Sequence, residues 1–315
     1  DGLSVRIVYS GATNGWIPTL DKTVEDVPDT GSLNGIFGYG YDGSNRVSMT
    51  NLVSNTGVVA TDVTGVGTVR TLGDGCEYGT DTAIFGFGNP SSGVVTNVTN
   101  LVSNTGVVAS DQTATTGTAR YVLAACSFGG DKGIFGFGNL GGAISNIVSN
   151  TGVVATDVSN SGTAREIGAA CEYGTDTAIF GFGQGAAGGA TNLVTNVGVI
   201  GSDVAAVGTS RTTCGACSYG GDKGIFFGGS DGSPSDITNL VSNTGVIQSD
   251  GTGVGTARES LGGTQYGGDK GIFAYGTTGS MVSISNLVSN AGVLQSDQVA
   301  TTGTARTGAS SCSFN

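Results

Sequence analysis

One unit recurs six times along this chain, and no other feature restricts the possible folds as strongly. Its clearest mark is an Ile-Phe pair, at Ile36-Phe37, Ile84-Phe85, Ile134-Phe135, Ile179-Phe180, Ile225-Phe226 and Ile272-Phe273, spaced 45 to 50 residues apart. A Gly-Thr-x-Arg segment keeps the same rhythm and ends at Arg70, Arg120, Arg165, Arg211, Arg258 and Arg306. An Asn-x-Gly turn does so too, ending at Gly57, Gly106, Gly152, Gly198, Gly245 and Gly292. A period in this range belongs to an array, a solenoid or a propeller. Helical repeats are disfavoured, because the apolar residues show no helical rhythm and Gly, Ser, Thr, Asn and Val outnumber the strong helix formers. The 59 Gly in 315 residues follow no three-residue period, which excludes collagen, and 37% apolar content argues against disorder.

The unit from Arg120 to Asp157 shows what one repeat predicts. A strand over Val122 to Phe128 runs into the turn Gly129-Gly130-Asp131, and a second over Gly133 to Gly138 precedes a loop of variable length. A third covers Ile144 to Ser149, and Asn150-Thr151-Gly152 turns the chain into a fourth over Val153 to Asp157. Four strands per unit is the size of a propeller blade. The chain ends are complementary: Cys312-Ser313-Phe314 repeats Cys126-Ser127-Phe128, a first strand, whereas the first repeat opens at Gly35-Ile36-Phe37, a second strand. The expected fold class is therefore all-β. It is a six-bladed β-propeller of four-stranded antiparallel blades over 33–315, closed by the C-terminal strand completing blade one, which leaves fewer strand edges open. Residues 1–32 lie outside the repeat and hold Trp16, Pro18 and Pro28; Leu3 to Tyr9 alternates like a strand, and the segment is expected to be an arm or attachment piece. The first residue is Asp rather than Met, which predicts a processed product or an excerpt.

Charge narrows the function classes. Twelve Lys and Arg against 24 Asp and Glu give a net charge of −12, which opposes attraction to nucleic acid or anionic lipid. There is no His, so a Ser-His-Asp or Cys-His site cannot be assembled and the commonest metal ligand is missing. No membrane-spanning helix is expected, since no apolar run of about eighteen residues exists. No lone pair of carboxylates stands out from the repeated acids, so glycan hydrolysis ranks low and no enzyme activity is expected.

The pattern Arg120, Ala124-Ala125, Gly129-Gly130 and Ile134-Phe135-Gly136-Phe137-Gly138, followed by a variable loop and a return strand, resembles the kelch-type blade. Adjacent glycines end the second strand only at Gly228-Gly229, and a fourth-strand Trp is absent throughout. The text Gly-Gly-Asp-Lys-Gly-Ile-Phe-Gly-Phe-Gly with Asn-Leu-Val-Ser-Asn-Thr-Gly is also similar to repetitive proteins in tail fibres and other appendages of bacterial viruses. That resemblance implies a non-enzymatic virion component, located in the tail or appendage, that presents a loop face to a host receptor, chiefly a surface glycan or else a protein. Its N-terminal arm would join other virion proteins. The alternatives are a secreted or cell-surface bacterial adhesion or carbohydrate-binding module, and an inert virion structural or decoration protein.

Residues that recur in all six units are expected to serve the blade, whereas binding residues are expected to be unique. By that test the six Gly-Thr-x-Arg arginines pair with acids eight or nine residues before them, namely Asp62, Asp111, Asp157, Asp203, Asp250 and Asp297, across the loop between blades. Cys76, Cys126, Cys171, Cys217 and Cys312 share one register with Thr264, which predicts small buried thiols rather than disulfides. Cys214-Gly215-Ala216-Cys217 lacks a second pair, so no zinc is expected. The turn acids Asp81, Asp131, Asp176, Asp222 and Asp269 are expected to bond their own backbone, and no Asp-x-Asp-x-Asp loop predicts calcium. No cofactor is expected. The loops after the second strand vary in length and content, over 41–46, 89–96, 139–143, 184–190, 230–236 and 277–281. On them Asp42, Asn45, Arg46, Asn89, Asp231 and Asp236 are the candidate ligand-binding residues, being polar and unrepeated.

Overall fold

The computed structural model describes residues 6–9, 16–19, 33–112, 116–140, 142–166, 168–185, 188–205, 207–298 and 302–314. By its contacts the chain divides into two compact units, Asp1–Gly31 and Ser32–Asn315. In the first, β1 (Arg6–Tyr9) and β2 (Trp16–Thr19) form an antiparallel pair with Tyr9 opposite Trp16. Leu3 to Val5, Pro28 and the rest of the expected arm lie outside the described residues.

The second unit is all-β among its described residues and holds six antiparallel sheets of three or four strands. The first sheet contains β3 (Asn34–Gly38) and β4 (Thr50–Val53). The second is β5 (Asp74–Tyr78), β6 (Thr82–Gly86) and β7 (Thr99–Val102). The third is β8 (Ala124–Phe128), β9 (Lys132–Gly136), β10 (Ile144–Val148) and β11 (Val158–Ser159). The fourth is β12 (Ala169–Tyr173), β13 (Thr177–Gly181), β14 (Ala190–Val194) and β15 (Val204–Ala205). The fifth is β16 (Gly215–Tyr219), β17 (Lys223–Phe227), β18 (Ile237–Val241) and β19 (Gly251–Thr252). The sixth is β20 (Gly262–Tyr266), β21 (Lys270–Ala274) and β22 (Ser285–Val288). The last strand, β23 (Ser310–Phe314), returns to the first sheet and pairs with β3 from Ser310 opposite Gly38 to Phe314 opposite Asn34.

Local chemistry explains the hairpins. The first-to-second-strand turn needs backbone with positive φ, and Gly129 (65°) and Gly130 (75°) supply it without a Cβ clash. The second strands read as continuous apolar runs because both of their faces are covered: Ile36, Phe37, Ile84, Phe85, Ile134 and Phe135 are all fully buried. The core lies between sheets rather than within one. Each of six apolar clusters draws on two neighbouring sheets; one joins the third and fourth through Phe137 and Phe180, and another joins the sixth and first through Phe37 and Tyr275. The first strands are also neighbours in series, β23 beside β5, then β8, β12, β16 and β20, with β20 again beside β23.

The fourth strand differs from its sequence expectation. In the third sheet, Val154 makes an isolated bridge to Val148, and the regular pairing resumes only at β11, opposite Ile144 and Ser145. In the first, second and sixth sheets, fourth-strand pairing consists of isolated bridges such as Thr50 to Val63. Beside this break in the pairing, each third strand carries a buried Asn. Asn146 is fully buried, and its Nδ2 donates to Ala155 O at 3.0 Å, occupying space and a carbonyl that a regular ladder would use.

Candidate functional site

Three sets of polar residues could serve a function: those at the seams between sheets, those on the variable loops, and those lining the cavity between the first strands. The seams use the repeated residues. Each Gly-Thr-x-Arg segment lies against the third strand of the next sheet, where Thr118 donates its N–H to Asp157 at 3.1 Å and Asn146 Nδ2 donates to the same carboxylate at 2.8 Å. This contact leaves no room for a side chain at Gly117, whose Cβ would sit 2.8 Å from Asn146 Nδ2. Arg120 follows, fully buried, with its guanidinium 4.4 Å from the centre of the Phe87 ring of the preceding sheet and its Nε donating to Phe137 O of the next at 2.7 Å.

The acid expected beside each Arg is therefore the wrong one. Arg165 faces Asp203 at 3.8 Å rather than Asp157, and Arg306 faces Asp62 at 4.0 Å rather than Asp297. Arg70, Arg120, Arg211 and Arg258 likewise feel Asp111, Asp157, Asp250 and Asp297. Sequence spacing suggested a bridge within one loop, but the segment runs along its neighbour, so the pair crosses a seam. Burial pushes Arg120, Arg165 and Arg258 down to about 10, with the facing carboxylates acting against it. For Asp62, burial pulls upward, but donors from Thr304 and Asn51 and the charge of Arg306 hold the carboxyl below its usual range.

Of the turn acids, Asp222 and Asp269 bond their own backbone as expected, and the set also meets side chains. Asp81, Asp131 and Asp269 accept from the side chains of Asn104, Asn150 and Asn290 at 2.9 to 3.1 Å, and Asp131 and Asp269 also pair with Lys132 and Lys270. Among the described residues all six cysteines are free and buried. The Cys76, Cys126, Cys217 and Cys312 thiols are pushed well up by burial, which makes them inert at neutral pH.

The variable loops all begin at one end of the sheets. Their first residues pair with the segments that follow the seam arginines: Tyr41 with Thr307, Asn89 with Thr71, Gln184 with Glu166, Ser230 with Thr212 and Thr277 with Glu259. Of the six candidates there, Arg46 and Asn89 are brought together, with Arg46 Nε donating to Asn89 Oδ1 at 2.9 Å across the first and second sheets. Asn89 is 5% exposed and its Nδ2 donates to Val94 O, so it orders its own loop. Asp42 accepts N–H bonds from Asn45 at 2.7 Å and Ser44 at 2.8 Å, which hold its carboxyl below the usual range. Asn45 and Asp231 are exposed, while Asp236 is half-buried at the end of the fifth-sheet loop.

Sequence reasoning missed the third set. All six first strands line one cavity, part of which is open to solvent. Its carboxyls are Asp74 and Glu77 of β5 and Glu172 of β12, at places where other first strands carry Ala124, Ser127 and Ser218. Burial pushes Asp74 up to about 7, even though its carboxyl accepts N–H bonds from Gly75, Ala125 and Ser311. Glu172 is pushed up to about 8 by burial and by the negative charges of Glu77 and Asp176. Ser313 Oγ donates to Glu77 Oε2 at 3.0 Å. A signal existed in the sequence: aligned first strands read Asp-Gly-Cys-Glu-Tyr and Ala-Ala-Cys-Glu-Tyr against Ala-Ala-Cys-Ser-Phe, so Asp74 occurs once and the Glu in two of the six strands. No protein-family model matches the chain, and no curated protein matches it.

Proposed function

We propose that the second unit is a closed six-bladed β-propeller, kelch-like in its blade pattern, that serves as a rigid non-enzymatic scaffold presenting its variable loops to a receptor. What supports closure is that strand pairing, first-strand contacts and seam bonds all return from the sixth sheet to the first: β23 pairs with β3, β20 lies beside β23, and Thr304 Oγ1 donates to Asp62 at 2.6 Å. The binding role rests on one observation. The seams repeat the same residues six times, whereas the six loops gathered at one end differ in length and composition.

The resemblance to bacterial-virus appendage proteins favours a host-surface glycan as the ligand and a virion tail as the location, with 1–32 as the attachment piece. The test is a glycan-array and host-cell binding assay on the full chain, alongside Asn45→Ala and Asp231→Ala, two exposed loop positions whose loss leaves the seams intact. Binding that falls about tenfold in either variant supports the loop face. Absence of binding to every glycan and to host cells would leave an inert scaffold.

A further inference from the structure

The six seams are not bonded alike, and the difference follows one residue of the repeat. Just after the second strand, the second, third and fourth sheets carry Phe87, Phe137 and Phe182, and the fifth uses Phe227, whereas the first and sixth carry Tyr39 and Tyr275. Each ring lies under the guanidinium of the seam arginine that follows it. Over the Phe rings the guanidinium carbon stands 4.1 to 5.1 Å from the ring centre. Over Tyr39 and Tyr275 it is closer, at 3.7 and 3.9 Å.

With the closer stacking goes a lost bond. Arg120, Arg211 and Arg258 each donate Nε to a carbonyl of the next sheet, at Phe137, Gly228 and Tyr275, over 2.7 to 2.9 Å. Arg70 and Arg306 are fully buried, yet no acceptor reaches their Nε or Nη2. In the Phe seams Arg165 lacks acceptors at Nη1 and Nη2 and Arg211 at Nη2, but no buried Nε is left unpartnered. Arg70 and Arg306 interact instead with the phenol beneath them, so their charge stays with the preceding sheet. A charge-assisted bond that ties one sheet to the next is thereby missing, and the buried donors left over weaken the seam further. Arg70 lies between the first and second sheets and Arg306 between the sixth and first, so the first sheet lacks this tie on both sides. It is also the sheet assembled from both ends of the chain, in the order β23-β3-β4.

We propose that the first sheet is a gate: it parts from the second and sixth sheets while the second to sixth stay packed, and so opens the side of the cavity that β23 lines. The gate rests on seam bonds alone and does not depend on the receptor reading. Two ties hold it shut. At the sixth-to-first seam Thr304 Oγ1 donates to Asp62 at 2.6 Å, and at the first-to-second seam the unrepeated Arg46 donates to Asn89 Oδ1 at 2.9 Å. The opening is a local one, of lower free energy than global unfolding.

The molecule carries its own reporters. Cys312 is buried in the apolar cluster between the first and second sheets, Cys76 in that between the second and third, and Cys217 in that between the fifth and sixth. All three thiols share one register of the first strand and are pushed well up by burial, so their labelling measures the opening of the seam around each. Pulse labelling of the full chain with iodoacetamide, read by peptide mass spectrometry, is expected to modify Cys312 about tenfold faster than Cys76 or Cys217. Tyr39→Phe gives the first-to-second seam the ring found in the second, third and fourth sheets. It is expected to slow Cys312 labelling about tenfold, the size of one recovered bond from a charged donor. The reverse change, Phe87→Tyr, is expected to speed labelling of Cys76. Fraying of the chain end would also expose Cys312, but Tyr39→Phe would not change it. Amide exchange is therefore read as well, and is expected to be faster in β3 and β4 than in β17 and β18. Equal labelling of the three thiols would overturn the proposal. So would equal exchange in the two strand pairs, or unchanged Cys312 labelling in folded Tyr39→Phe, with circular dichroism as the check on folding.

Discussion

The same functional group behaves in opposite ways at the seams and in the cavity. At the seams, six Asp carboxyls recur with the repeat, each meeting Thr and Asn donors and a facing Arg, and each held below its usual range. In the cavity, Asp74 and Glu172 break the repeat and are raised to about 7 and about 8 by burial. A recurring acid arrives with side-chain donors and a facing Arg, because the whole unit recurs; Asp74, which stands where β8 carries Ala124, meets backbone N–H donors alone. The contrast separates charges that recur with the repeat from charges that depart from it.

The strongest challenge to the seam side is removal of Ser310 to Phe314. This deletes β23 and with it Phe314, which is fully buried. Loss of the cooperative melting transition is expected in calorimetry, since burial of Phe314 alone is worth about 3–5 kcal/mol. Arg120→Ala comes next: it removes the stacking on Phe87 and leaves the Phe137 carbonyl without its donor, for an expected loss of about 3 kcal/mol in urea denaturation. Asp157→Asn is milder, about 1 kcal/mol, because this carboxylate is partly exposed and its Thr118 bond is partly replaced by solvent.

The subtlest test uses pH. Asp74 and Glu172 have folded values above their ordinary ones, so between roughly pH 4 and 8 the folded chain binds more protons than the unfolded chain. Their contribution to stability is fully present below the unfolded values and is lost as pH rises through about 7 and about 8. The seam acids have the opposite sign: they stabilise above pH 3.8 and lose that contribution as pH falls below it. Denaturation midpoints measured from pH 3 to 9 are expected to rise and then fall. Asp74→Asn with Glu172→Gln should flatten the fall above pH 5 and leave the acid limb in place. A fall of equal size in the double variant would mean that the cavity carboxyls are not its source.

Much of the fold was legible because it is local. The Gly129-Gly130 turn, the apolar Ile134-Phe135 strand and the match of Cys312-Ser313-Phe314 to an unfilled first strand follow from residues near one another or from one repeated string. The loop candidates were only partly legible. Unrepeated polarity selected Asn89, but its burial against Arg46 and Val94 makes it a loop-ordering residue in this structure.

The fifth sheet shows where the text was misleading. Five sheets place an aromatic residue of positive φ after the second strand, such as Phe137 at 61°, whereas the fifth has Gly228 there. The ring is not lost: Phe227, one residue earlier, lies 5.1 Å beneath Arg258. The departure from the repeated string is a local exchange that keeps the stacking.

By itself, the sequence determined the repeat, the hairpins and the complementary ends, because strand alternation and turn stereochemistry are decided within a few residues. Only the tertiary structure decided which carboxylate each arginine faces and that Asp74, Glu77 and Glu172 share one cavity. Those relations depend on how neighbouring sheets pack against one another, a distance through space that spacing along the chain does not encode.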